Sequence, residues 1–153
     1  MLDKKYIISI LIIILIIGCS LGLYFYSQFQ VGSAYLSLPS GYHAETHNDG
    51  VVNLTNGNDF LILNEYSGYD PDIMVPINYY MGSKENQNFS VELLNFNVDD
   101  IKVYKTILNN GTDVYHYWFI KNHKLYEFVT YDGHPDTDNI VSSLIKSMRS
   151  SII

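Results

Sequence analysis

Cysteine is nearly absent from this chain: Cys19 is the only one in 153 residues. It sits in the N-terminal hydrophobic run, so the rest of the chain forms no disulfide of its own and must be stabilised by its core. A segment of about 120 residues buries enough apolar surface for that, and a cysteine-free exported domain fits a prokaryotic cell surface better than a small secreted animal protein. Basic residues are also scarce, nine Lys/Arg against sixteen Asp/Glu, for a net charge of −7. Residues 31–153 hold seven Lys/Arg and fifteen Asp/Glu, a net −8. Such a segment repels nucleic acid and anionic headgroups. Lys102, Lys105, Lys121 and Lys124 are scattered among acidic neighbours, so no nucleic-acid partner is expected. Beyond residue 30 there is no G-x-S-x-G and no glycine-rich phosphate loop. No catalytic, cofactor-binding or metal residue is therefore assigned, and no cofactor is expected.

What is present first is a long apolar run. From Tyr6 to Tyr26 there is no charged residue, and as a helix this run spans roughly 30 Å, a bilayer core. The apolar stretch continues past the length of a cleaved signal peptide, which predicts an uncleaved transmembrane signal anchor in contact with bilayer lipid. Lys4 and Lys5 precede it and the next basic residue is Lys84, so the positive-inside rule places residues 1–5 in the cytoplasm and the remainder outside the cell membrane. Tyr24, Tyr26 and Phe29 would form an aromatic belt. Ile16-Ile17-Gly18-Cys19 also resembles a lipobox, the competing reading in which Cys19 is lipidated; the apolar residues after it depart from the usual polar tether.

Residues 27–33 read as a linker and 34–153 as one extracytoplasmic domain. Ala34, Leu36 and Leu38 alternate with polar neighbours, and Val51–Leu54 and Phe60–Leu63 follow turn residues Asn48-Asp49-Gly50 and Asn56-Gly57-Asn58. Ser67 to Gly82 lacks periodicity and reads as a long loop with one helical turn after Asp70. Ile101–Leu108, Asp113–Ile120 and Lys124–Tyr131 are rich in β-branched and aromatic residues and predict an antiparallel meander. Ile140, Val141, Leu144, Ile145 and Met148 recur at helical spacing, with Asp136, Thr137 or Asp138 available as N-cap. The fold class expected is α+β: a transmembrane helix, then an antiparallel sheet of about six to seven strands packed with a C-terminal amphipathic helix.

Leu38-Pro39-Ser40-Gly41-Tyr42, Tyr117-Trp118-Phe119, Lys124-Leu125-Tyr126-Glu127-Phe128 and a helix finishing in Ser147-Met148 resemble the PsbP/Mog1 superfamily. The build is also similar to small membrane-anchored surface proteins of methanogenic archaea. Because PsbP-like proteins mostly assist membrane complexes, the resemblance implies a binding or assembly role with an envelope or membrane-protein partner. It transfers no specific residue.

Other chemistry-bearing residues have plain alternatives. His43 and His47 have the i, i+4 spacing of helical zinc sites, but in an extended segment they lie about 13 Å apart and cannot share a metal. Asp132, Asp136 and Asp138 miss the calcium-loop pattern and suit turn formation and capping. His116, between Tyr115 and Tyr117, reads as a strand position. Sequons at Asn53, Asn88 and Asn110 are N-glycosylation candidates. The function expected is a tethered, non-catalytic binding or assembly module, contacting its partner through an aromatic sheet face or the central loop. The alternative is an anchored hydrolase or metal-dependent enzyme whose site forms only in the fold.

Overall fold

The computed structural model describes residues 4–47, 50–66, 72–109, 111–131 and 136–150. Helix α1 runs Lys4–Tyr26, and every side chain described on it, from Tyr6 to Gly22, is exposed. Among the described residues no helix is long and apolar enough to cross a membrane. The transmembrane, single-pass element of the expected fold is therefore corrected: α1 is an exposed apolar helix. Phe29, expected among headgroups, is instead buried in the core.

Within the expected linker lies strand β1 (Gln28–Val31), which turns through Gly32-Ser33 into β2 (Ala34–Ser37). The short β10 (Arg149–Ser150) pairs with β2 to complete a three-stranded sheet. The large sheet contains β3 (His43–His47), β4 (Val51–Thr55), β5 (Phe60–Tyr66), β6 (Ser90–Val98), β7 (Ile101–Asn109), β8 (Asp113–Lys121) and β9 (Lys124–Tyr131). Its order is β3-β4-β5-β9-β8-β7-β6, and every pairing is antiparallel. The connection from β5 to β6 carries helix α2 (Met74–Glu85), so two meanders meet where β5 pairs with β9.

Successive strand residues point to opposite faces, which divides the sheet into two unlike surfaces. One face presents Val52, Leu54, Leu61, Leu63, Val103, Tyr117, Phe119, Tyr126 and Phe128 to the small sheet and to helix α3 (Thr137–Ser147). Val141, Leu144 and Ile145 of α3 are buried there, and Met148 behind them. The expected terminal amphipathic helix is thus present. Asp136 is its N-cap residue but makes no side-chain capping bond. Asp138 instead accepts from Lys105 Nζ at 2.8 Å and Tyr117 Oη at 2.6 Å, fastening the first turn to β7 and β8. At the other end Lys121 Nζ donates to the Ile145 carbonyl at 2.6 Å.

The opposite face carries α2, where a loop with a single helical turn was expected. Asp72 starts the helix, its Oδ1 accepting from Met74 N at 2.9 Å, and Pro76 sits in the first turn, where its missing N–H costs nothing. Ile77 is fully buried against the sheet, while Val75 and Tyr79 are 55% and 81% exposed. Apolar residues on both sides of α2 erase the one-sided periodicity by which a surface helix is recognised.

Candidate functional site

The face under α2 contains an unusual amount of polarity for a buried surface. Glu127 in the middle of β9 is only 5% exposed, and a buried carboxylate is tolerated only when its oxygens are hydrogen-bonded. Strand register supplies the partners. Asn64 stands directly opposite Glu127 on β5, and its Nδ2 donates to Oε2 at 3.2 Å. Tyr66, two residues on and on the same face, donates its hydroxyl to the same oxygen. From β8, His116 Nδ1 donates to Oε1 at 2.5 Å. Burial works to raise the Glu127 pKa, but the hydrogen bonds from His116 and Tyr66, the His116 charge and Asn64 together hold it below the usual carboxylate value. The same contact acts in reverse on Tyr66, whose hydroxyl is pushed well up by burial and by Glu127.

Aromatic rings enclose this group. The His116 and Trp118 rings lie nearly parallel with centroids 5.7 Å apart, and Tyr80 of α2 leans on both, at 4.4 Å from His116 and 5.9 Å from Trp118. Trp118 Nε1 donates to the buried Thr106 Oγ1 at 3.2 Å. Among the described residues the buried Tyr80 hydroxyl has no hydrogen-bond partner. Burial, with Glu127 and Tyr131 nearby, pushes its pKa up to about 12. Chemically the group is a satisfied carboxylate and a covered imidazole.

A second carboxylate is clamped on the other face. Glu65 Oε2 accepts from Ser33 N at 2.7 Å, Ser33 Oγ at 2.8 Å and Tyr126 Oη at 3.0 Å, and Lys124 Nζ lies 3.8 Å from Oε1. The β1–β2 turn is thereby tied to the large sheet. A cavity of about 470 Å³ opens between the β6–β7 and β8–β9 turns and the end of α3; Asp99, Asp100, Lys102 and Lys121 give its wall mixed charge.

The residues singled out from sequence fall in different places. Asn53 lies within β4, paired to strands on both sides, whereas Asn88 is exposed in the turn after α2 with φ +62°. Asn110 and Asp132 lie outside the described residues. Cys19 is exposed on α1. His43 and His47 share the extended β3, and among the described residues no group of three His, Cys, Asp or Glu is placed to hold a metal. His116 is the strand residue expected, but its pairing with Glu127 was not legible: the two are eleven residues apart and meet only through the β8–β9 register.

No family model and no curated protein matches the chain. Among solved structures, one from Bacteroides thetaiotaomicron VPI-5482 shares the fold, with a TM-score of 0.52 at 12% sequence identity. The match covers 81% of this chain and 48% of that one, so this chain spans about half the length of that relative.

Proposed function

We propose that this chain is a tethered, non-catalytic binding or assembly module on the extracytoplasmic side, docking an envelope partner through the outer face of α2. The observation that carries the reading is the pair Val75 and Tyr79, apolar and largely exposed on a helix whose inner face is fixed to the sheet. An aromatic on a rigid support is a suitable anchor for a partner's pocket. The buried group beneath supports the same reading. Glu127 and His116 have their hydrogen bonds directed at each other and at their neighbours, and they serve to fix β5, β8, β9 and α2. Tethering is assigned to α1, whose exposed Ile and Leu side chains favour contact with lipid. The sequence resemblance to the PsbP/Mog1 superfamily, if it holds, would imply such a role.

The test is photo-crosslinking from position 79 of the full-length chain in its native cells. A discrete adduct expected at 79, lost with Val75→Ser and unchanged by His116→Ala, supports docking by α2. No adduct at 79, or a hydrolytic activity of the purified chain abolished by Glu127→Gln at a temperature where the variant stays folded, overturns it in favour of an enzyme.

A further inference from the structure

Strand β6 forms one edge of the large sheet, and among the described residues it is hydrogen-bonded along its length only to β7. Its outward N–H and C=O groups are thus a template for another strand over nine residues, about 30 Å. Exposed edges are normally blunted by brevity, charge, proline or a bulge. The opposite edge, β3, is short and carries His43, Glu45 and His47 in five residues. β6 carries one charge, Glu92, and no proline, and it pairs with β7 without a bulge from Ser90 to Val98. Leu94, at its centre, is 42% exposed.

We propose that β6 is a homodimer interface, pairing antiparallel with β6 of a second copy about a two-fold axis at Leu94. This register uses all nine residues. Leu94 then faces its own copy, Leu93 faces Asn95, Glu92 faces Phe96, and Val91 faces Asn97, so no like charges are opposed. The apolar residue left exposed is the one the symmetry sets against itself, which favours a second copy over a foreign strand. The end of α3 stands by the β6–β7 turn, where Lys146 Nζ is 3.9 Å from Asp99, while α2 ends at the other end of β6, where Phe89 N donates to the Lys84 carbonyl. Antiparallel pairing sets each of these ends against the far end of the partner's strand.

The test uses the full-length chain in detergent with Cys19→Ser as background, measured by sedimentation with detergent mass subtracted. A dimer is expected, and Leu94→Lys, which opposes two cations at the axis and leaves α1 intact, is expected to halve the mass. Opposed residues have Cα atoms about 4.5–5.5 Å apart, within disulfide range. Leu94→Cys is therefore expected to cross-link on mild oxidation, while Glu92→Cys, about 13 Å along the strands from its copy, is not. A monomeric parent, or a dimer that survives Leu94→Lys and resists cross-linking through Leu94→Cys, overturns the proposal. Cross-linking through position 94 supports it even if the lysine variant fails to fold.

Discussion

Tyr66 on β5 donates its hydroxyl to Glu127 on β9, joining the two meanders across the face that α2 covers. On the other face of the same strand pair Tyr126 donates to Glu65 at 3.0 Å. Each strand thus contributes an adjacent glutamate and tyrosine, and alternation sends one of each to each face. Among the described residues the β5–β9 junction is the only place where the two halves of the sheet hydrogen-bond, and it is riveted from both sides.

Glu127→Gln should destabilise the fold markedly. Gln keeps the volume but replaces one acceptor oxygen with a donor, leaving Tyr66 or His116 facing an N–H. The loss of a charged, buried hydrogen-bond acceptor is expected to cost about 2–3 kcal/mol, read as a lower urea midpoint with unchanged slope.

The same carboxylate predicts acid lability. Its folded pKa lies below its unfolded value, so its contribution is fully present above the unfolded pKa of about 4.3 and is lost as pH falls through the folded one. Asp138 acts in the same sense: burial opposes its charge, but Lys105 and Tyr117 outweigh that. The urea midpoint should fall on acidification below about pH 5, and Glu127→Gln should fall less than the parent over that window.

Much of the fold was legible because the last three strands and α3 obey simple patterns. Asp113–Lys121 and Lys124–Tyr131 are bounded by turn residues within one position of the expected ends. α2 was not legible because Val75 and Tyr79 put apolar residues on its solvent side, and β1 because its four residues are too few for alternation to register. The Glu127 group was hidden for a different reason. Tyr66, His116 and Glu127 are scattered over sixty residues, and only strand register brings them together.

Gly32 tests the second rivet. Its φ is +56°, and a Cβ there would stand 2.5 Å from Glu65 Cδ. Gly32→Ala should cost about 1–2 kcal/mol for the left-handed backbone, and more for displacing Glu65 from Ser33 and Tyr126. Gly57→Ala, with φ +92° and nothing within 4 Å of the added carbon, isolates the backbone cost. If Glu65 is the obstacle, Gly32→Ala and Glu65→Gln will be less than additive in a denaturation cycle.

Tyr80 offers the converse case, a polar atom whose removal should help. Its hydroxyl is buried with no hydrogen-bond partner among the described residues, while its ring lies on His116 and Trp118. Tyr80→Phe keeps the ring contacts and deletes the unpaired group, so stability is expected to rise by about 1 kcal/mol or stay level, because an unsatisfied buried donor carries a desolvation cost of about 1–3 kcal/mol. Tyr80→Ala should instead lose at least 2 kcal/mol or so, since it strips the cover from His116. The comparison is read from thermal melts of the two variants at pH 7. A Phe variant that melts well below the parent would mean that the hydroxyl is engaged in solution, and the space between α2 and β9 would then have to hold a partner for it.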